Sequence, residues 1–248
     1  MRDRIDLNAD VGEERGDDAA IIPLLSSASI ACGGHAGGGR ALDEALMNAA
    51  RHGVSIGAHV SYEDRANFGR VAVAIDREAL TDSLLGQLAL IRDNAGAHDL
   101  AVTFVKPHGA LYHRVATDAA HASALVDAVR ATDPTLELLV PSSPLLERIA
   151  GSLTCRHEFF ADRGYRTDGS LVPRGAAGAR IDDVKQVLAR TLRWLEEGTV
   201  ETADGVSLRV DADSICIHGD DPQALALASA LHDGLQASGV RITSWMTP

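Results

Sequence analysis

Aromatic residues, cysteines and long apolar runs are all scarce in this chain of 248 residues. Aromatic residues make up only 4% of it, although hydrophobic residues as a whole reach 46%. The core must therefore be filled mainly by Ala, Val, Leu and Ile, which favours helices packed on a buried parallel sheet over an antiparallel sandwich. Because single barrels commonly reach this length, we expect one domain over residues 1–248.

The cysteines and the apolar runs that are present exclude several classes of protein. Cys32, Cys155 and Cys216 are far apart and show no CxxC spacing, which argues against a disulfide framework and a thiolate zinc site. No apolar signal-peptide core follows the charged segment Met1–Ile5, and no run approaches the roughly 20 residues that a membrane span needs. We therefore predict a soluble, cytoplasmic protein without membrane contacts.

Positively charged residues are also fewer than negatively charged ones. The chain has 23 Lys and Arg against 35 Asp and Glu, which gives a formal net charge of −12. A field of that sign repels phosphate backbones, and the arginines are scattered rather than clustered. We therefore expect no nucleic-acid partner.

Short apolar runs alternate with longer amphipathic ones, which predicts parallel strands joined by right-handed helical crossovers. Seven or eight such units favour a closed α/β barrel, and an open doubly wound sheet is the alternative. Residues Thr199–Val210 break the rhythm and predict a β-hairpin around Asp204-Gly205. The strand candidates are Ile5–Ala9, Ser29–Cys32, Val54–Ala58, Ala101–Val105, Leu136–Val140, Arg156–Phe160 and Ser214–Ile217, with a weaker eighth at Val240–Ser244. The helix candidates are Arg40–His52, Arg77–Asn94, Ala119–Ala131, Leu145–Ala150, Ile181–Glu196 and Pro222–Ala237.

Histidines and aspartates collect where the predicted strands end. Because the carboxyl ends of parallel barrel strands meet at one rim, these side chains are expected to form one site. Imidazole there can transfer a proton or bind a metal, carboxylates can act as bases or orient an imidazole, and cations can hold an anionic substrate group. A single strand-end histidine is more often a structural hydrogen-bonding group, but four of them on one rim favour function. The residues are His35, His59, His108, His218, Asp10, Asp162, Asp220, Lys106 and Arg163.

The strand-end motifs, taken in order, resemble those of the LamB/YcsF family, whose characterised role is that of the A subunit of bacterial 5-oxoprolinase. The resemblance runs from residue 5 to residue 220. The matching stretches are Asp6–Glu13, Ile30–Gly37, Ile56–His59, Asn67–Arg70, Val105–Tyr112, Phe160–Tyr165, Asp168–Arg174 and Ile217–Asp220.

This resemblance implies a distorted seven-stranded (β/α) barrel of the glycoside hydrolase and deacetylase type. It also implies the ATP-dependent opening of 5-oxo-L-proline to L-glutamate, carried out together with partner subunits B and C. The roles that follow pair Asp10 with His59 or His108 in acid–base transfer and place a substrate anion on Lys106 or Arg163. The remaining candidates are catalytic or polarising (His35, Asp162, His218, Asp220) and substrate-binding (Asn8, Tyr112).

A divalent metal is left open by the sequence. Asp10, His35 and His59 follow three successive strands and resemble the Asp-His-His set of related deacetylase barrels, and three N/O ligands suit Zn²⁺ or a similar ion. Coupling to ATP, however, can activate an amide without a metal.

The second motif departs from the family pattern at two positions. Gly34 stands where the family usually has an aromatic residue, and Gly38 stands where it usually has an aspartate. Two alternatives therefore stay open beside the 5-oxoprolinase subunit. One is a stand-alone metal-dependent deacetylase or amidohydrolase, and the other is a non-catalytic subunit that binds a small lactam or carboxylate.

Overall fold

A ring of parallel strands is the frame that carries the predicted rim. The computed structural model describes residues 2–219 and 222–246. Around the ring the strand order is β6-β5-β4-β3-β2-β1-β10-β7, and β11 adds to the start of β1. The strands are β1 (Arg4–Val11), β2 (Ser27–Ala31), β3 (Ser55–Val60), β4 (Val102–Pro107), β5 (Glu137–Leu139), β6 (Cys155–Arg156), β7 (Glu158–Phe160), β8 (Thr199–Glu201), β9 (Ser207–Arg209), β10 (Ser214–His218) and β11 (Arg241–Ile242).

The predicted sixth strand is split in two. His157 separates β6, which pairs with β5, from β7, which pairs with β10. With these two pieces counted as one strand, the ring has the seven strands that were expected, and the fold prediction is confirmed. The hairpin is confirmed as well, because β8 and β9 pair antiparallel in a separate two-stranded sheet.

The alternation of side chains along the strands divides the interior of the barrel from its outer core. In β1, Leu7 and Ala9 belong to the large apolar cluster, whereas the intervening Asp6 and Asn8 both bond to the hydroxyl of Ser214 on β10. The interior side of β1 is therefore polar, and the large hydrophobic cluster lies between the sheet and the surrounding helices.

Helices connect the strands on the outside of the ring. Their starts follow capping rules: Asp76 accepts a hydrogen bond from the Ala79 N–H, and Ser143 caps a helix that has Pro144 at its first position. The helices are α1 (Asp18–Ile21), α2 (Gly39–His52), α3 (Arg77–Gly96), α4 (Gly109–Thr117), α5 (Ala119–Thr132), α6 (Pro144–Ala150), α7 (Val184–Glu197) and α8 (Ala224–Ala237), with 3₁₀ turns at Ile22–Leu24 and Arg65–Asn67.

Two kinds of detail differ from the sequence-based expectation. Helices α1 and α4 were not predicted, because both are short and lie within or beside segments that read as strand-end motifs. Several strands also extend further than expected, so that Asp10, His59 and His218 lie inside strands rather than after them. The predicted start of the last helix at Asp221-Pro222 includes Asp221, which lies outside the described residues. Within residues 2–219 and 222–246, no helix has the length and apolar character required to cross a membrane.

Candidate active site

Lys106 lies in the barrel interior near the rim, with a side chain only 2% exposed. Its Nζ is 2.7 Å from Asp10 Oδ1 and 2.8 Å from Glu158 Oε2, and it also lies 3.2 Å from Cys216 Sγ. Burial alone would lower the pKa of Lys106, but Asp10 and Glu158 raise it well above its usual value of 10.5. Lys106 is therefore a buried ammonium group held between two carboxylates.

Asp10 connects this lysine to a group of histidines. Its Oδ2 lies 3.4 Å from His59 Nε2. Burial would raise the pKa of Asp10, but the charges of His59 and Lys106 hold it well below 3.8. Asp10 therefore stays ionised and can accept hydrogen bonds on both oxygens.

Three histidines and Glu13 meet beside Asp10. His59 Nε2 lies 2.9 Å from His108 Nδ1, and Glu13 Oε1 lies 2.9 Å from His35 Nε2. Burial, followed by the charge of His59, lowers the pKa of His35 to about 2. Burial also lowers the pKa of His108 well below 6.5. The His35 and His108 rings are therefore neutral at physiological pH.

A fourth histidine stands on the other side of Lys106. His218 Nδ1 lies 2.9 Å from Asp162 Oδ2, and its ring stacks on Phe160 with the centroids 5.6 Å apart. Burial would raise the pKa of Asp162, but the charge of His218 and the hydrogen bond from it lower that pKa below 3.8. Asp162 therefore orients the His218 ring, which lines a cleft.

The cleft lined by several of these groups opens above them. Its walls include three arginines, Arg70, Arg163 and Arg174. Burial, followed by the charge of Arg174, lowers the pKa of Arg163 to about 10, as expected where two guanidinium groups face the same space. This concentration of positive charge suits an anionic ligand. The other lining residues are Asp10, His59, Lys106, Pro107, His108, Gly109, Tyr112, His113, Phe160, Leu171 and His218.

The structure brings most of the predicted residues together but gives some of them supporting positions. Asn8 is fully buried beneath the cleft, where its Nδ2 donates to Ser214 Oγ. Arg163 directs two of its donors to backbone carbonyls, those of Ala179 and Val172, and so ties down the segment 164–179. Substrate contacts by Asn8 and Arg163 stay predictions.

Tyr112 lines the cleft, where burial and the charge of Glu158 raise its pKa well above 10.0. It is therefore a hydroxyl donor rather than a base. Asp220, which was also predicted, lies outside the described residues.

Glu13 and Glu158 were missed as site residues. Glu13 is within the first matched motif, three residues after Asp10. Glu158 is a charged residue in the middle of a predicted buried strand, and that is the signal by which it could have been found.

Gly34 is explained by its own surroundings. A Cβ at this position would lie 2.3 Å from Ser61 Oγ and 2.6 Å from Gln87 Oε1. Gln87 also accepts from the Ser61 N–H and donates to the Ser61 carbonyl. The space that an aromatic side chain would need is therefore filled by two polar residues.

The other departure from the family pattern has a backbone explanation. Gly38 precedes α2 with φ of +100°, a conformation that favours glycine.

We expect the substitution Gly34→Tyr to lower the free energy of unfolding by about 1–3 kcal/mol, since it overpacks a buried site. Urea titration would measure the loss. The control is Gly86→Tyr, because a Cβ on the exposed Gly86 of α3 meets no atom within 4 Å. Equal stability of the two variants would contradict the steric explanation.

The comparisons with known proteins agree with the motifs. The model of the LamB/YcsF family matches residues 5–248. The chain belongs to the LamB/YcsF family. A curated relative, a 5-oxoprolinase A subunit from Agrobacterium fabrum, is 41% identical over 249 residues, with 97% of each chain covered.

Solved structures extend this relationship to the fold. The crystal structure of a lactam utilization protein from Thermus thermophilus superimposes with a TM-score of 0.91 and 38% identity, covering 98% of this chain and 100% of the other. A putative cellobiose-phosphate cleavage protein from Enterococcus faecalis has a TM-score of 0.57 at 8% identity, over 98% of each chain. This second likeness concerns the fold alone.

Proposed function

We propose that this LamB/YcsF chain is the A subunit of an ATP-dependent 5-oxoprolinase, which converts 5-oxo-L-proline, ATP and two molecules of water into L-glutamate, ADP and phosphate. The observation that carries the proposal is the buried Asp10–Lys106 pair, which faces a cleft lined by arginines and histidines. The names of the relatives, a 5-oxoprolinase A subunit and a lactam utilization protein, support the same substrate class.

The chemistry accounts for the co-substrate and the partners. A five-membered lactam is an unstrained amide and a poor electrophile, so that water alone attacks its carbonyl carbon slowly. Phosphorylation of the lactam oxygen by ATP would make that carbon attackable by water. Breaking of the ring C–N bond would then leave an acyl phosphate, which a second water molecule hydrolyses to the glutamate carboxylate and phosphate. We therefore assign ATP to the complex as co-substrate and subunits B and C as partners. Free thiols at all three cysteines suit the cytoplasm, where we place the reaction.

The residues of the cleft can be given distinct parts in ring opening. Arg163 and Arg174 would hold the substrate carboxylate or the phosphoryl group, since Lys106 is already neutralised by carboxylates. Asp10, with His59 or His108, would take the proton from the attacking water as the new C–O bond forms.

Opening the ring also needs a proton for the departing nitrogen. When the ring C–N bond breaks, the electron pair stays on that nitrogen, which must be protonated to leave as the amine of glutamate. We assign this proton transfer to His218, which lines the cleft and is oriented by Asp162.

The proposal predicts ATP-dependent glutamate formation from 5-oxoproline by the complex of this chain with its two partner subunits. The variant His218→Asn should lower turnover about 100-fold or more, since general acid–base groups contribute factors of that size. Glutamate release, measured with and without ATP and with each subunit omitted in turn, is the direct assay.

The matched control is His98→Asn, which disrupts a histidine–aspartate pair near the surface, where His98 Nε2 lies 2.7 Å from Asp43 Oδ1. It should leave turnover unchanged. Glutamate formation without ATP would overturn the proposal in favour of a stand-alone amidohydrolase. Absence of turnover under all conditions would overturn it in favour of a subunit that only binds its ligand.

A further inference from the structure

Two imidazole rings in the site face each other with nitrogens that carry no hydrogen when the rings are neutral. His59 Nδ1 lies 3.1 Å from the Lys106 carbonyl oxygen, and His108 Nε2 lies 3.0 Å from the Phe68 carbonyl oxygen. A carbonyl oxygen can only accept, so each of these nitrogens holds its ring's proton. The opposite nitrogens, His59 Nε2 and His108 Nδ1, are only 2.9 Å apart. Two lone pairs at this distance repel each other unless a cation lies between them.

Carboxylate oxygens converge on the same point. Glu13 Oε1 lies 3.4 Å from His108 Nδ1 and 3.8 Å from His59 Nε2, and Asp10 Oδ2 lies 3.4 Å from His59 Nε2. In a tetrahedral site with ligands at 2.0–2.1 Å from the ion, neighbouring ligand atoms are about 3.3 Å apart. His59 Nε2, His108 Nδ1 and Glu13 Oε1 thus lie 2.9–3.8 Å from one another, which brackets the spacing of ligands around one small cation, and Asp10 Oδ2 lies 3.4 Å from one of them.

The local charge balance also favours a cation. Asp10, Glu13 and Glu158 are three buried carboxylates in direct contact with these histidines or with Lys106, and Lys106 brings one positive charge to the group. Leaving the histidines aside, these four side chains together carry two net negative charges, and burying that much charge of one sign is costly. A divalent ion would balance them.

His35 supports the cluster from behind. Its ring is parallel to that of His108 (interplanar angle 3°, centroids 3.6 Å apart), so the lone pairs of the two rings cannot point at one ion. Instead, His35 Nε2 is placed to donate to Glu13 Oε1 at 2.9 Å, and Ser61 Oγ lies 3.0 Å from His35 Nδ1. Histidines and carboxylates that ligate a metal are commonly oriented by such outer hydrogen bonds.

We infer that His59, His108, Glu13 and Asp10 bind one divalent transition-metal ion, with His35 orienting Glu13. This ligand set differs from the Asp10, His35 and His59 set suggested by the sequence. His35 is no longer a ligand but orients one, and Glu13 and His108 are added as ligands. Two imidazole nitrogens and two carboxylate oxygens suit Zn²⁺ or a similar ion. Such an ion would polarise a carbonyl oxygen or a water molecule in the cleft. It would then take over the activation of water assigned to Asp10 with His59 or His108, because the atoms of those side chains that could accept a proton would hold the ion.

The inference concerns the isolated chain and does not rest on the proposed reaction. Its test therefore uses no ATP, lactam or partner subunit, so that failure of metal binding and failure of the 5-oxoprolinase assay can be told apart. The full chain is stripped with a chelator, dialysed, and titrated with Co²⁺, a spectroscopic substitute for Zn²⁺. Visible absorption reports the ligand field, and elemental analysis after Zn²⁺ loading reports the stoichiometry.

We expect about one equivalent of metal per chain and ligand-field bands that are lost in His59→Gln and in His108→Gln. The outer-layer variant His35→Gln should keep the stoichiometry but bind about 10- to 100-fold more weakly. The matched control is His113→Gln, since His113 is exposed at the same cleft but outside the cluster. Circular dichroism of the metal-free proteins checks folding, and the isosteric Glu13→Gln replaces any histidine variant that does not fold.

Two results would overturn the inference. One is wild-type protein that binds no Co²⁺ or Zn²⁺, in which case a proton shared by the two rings would have to separate the lone pairs. The other is metal binding of wild-type strength in His59→Gln, His108→Gln and Glu13→Gln, which would place the ion elsewhere in the chain.

Discussion

Replacement of Lys106 by methionine should abolish turnover and lower the free energy of unfolding by about 3–5 kcal/mol, which is the usual cost of removing one partner of a buried ion pair. Methionine approximates the length and apolar stem of lysine but leaves Asp10 and Glu158 facing each other without the ammonium between them. Turnover should fall at least about 100-fold, because the charge distribution that meets the substrate is lost with it. Urea unfolding of the chain and glutamate release by the complex measure the two effects separately.

A second substitution makes the cause of the instability testable. In the double variant Lys106→Met with Glu158→Gln, one of the two stranded carboxylates is gone, so that part of the lost stability should return while turnover stays low. The control is Lys185→Met on the exposed side of α7. A stability loss below about 1 kcal/mol for Lys106→Met, or no recovery in the double variant, would show that the ion pair does not have this structural role.

The contribution of Asp6 to the stability of the chain should fall as the pH rises from about 4 to 6. Asp6 is buried in the lower barrel, where it accepts from Ser26 at 2.7 Å, from Ser27 at 2.9 Å and from Ser214. Burial outweighs these hydrogen bonds and raises the pKa of Asp6 from 3.8 to about 6. The folded state therefore keeps the Asp6 proton after the unfolded state has lost it.

The sign and size of the effect follow from proton linkage. Below about pH 4 the carboxyl is protonated in both states, and the stabilising contribution of the neutral group is fully present. Between about pH 4 and 6 this carboxyl ionises only in the unfolded state, so its contribution to the free energy of unfolding declines by up to about 3 kcal/mol and then levels off. Asp6→Asn, which cannot ionise, should lack this decline and become more stable relative to the wild type as the pH rises.

Urea titrations of wild type and Asp6→Asn at intervals between about pH 4 and 7.5 give the difference that isolates Asp6 from other titrating groups. Asp93→Asn, at an exposed position of α3, is the control and should follow the wild-type curve. Parallel curves for wild type and Asp6→Asn would show that Asp6 has the same proton affinity in both states.

The location of the site was predictable because barrel topology brings strand ends together whatever lies between them. Asp10, His59, His108 and His218 are far apart in sequence, yet the parallel register places them around one cleft. Strand periodicity and turn residues identified the hairpin and most helices for a simpler reason, since both signals are local in the sequence.

The division of roles within the site was not predictable, since it depends on distances between side chains from different strands. Nothing in the sequence shows that Lys106 is neutralised by Glu158 or that His35 stacks on His108. Helix α4 was missed because its nine residues follow directly on a strand motif and give too short an amphipathic pattern.

The split of the sixth strand divides the barrel into two walls that differ in the length of the ladders between their strands. From β10 through β1, β2 and β3 to β4, neighbouring strands share four or five register pairs, and this wall carries the lysine and most of the histidines. The opposite wall is joined by shorter ladders of two or three register pairs, at β4–β5, β5–β6 and β7–β10. This wall carries Phe160, Asp162 and Arg163. The Asp10–Lys106 pair thus lies on the wall with the longer ladders, whereas Glu158 and Arg163 lie on the wall that is joined to it by the shorter ladders. The ion pair between Lys106 and Glu158 therefore links the two walls.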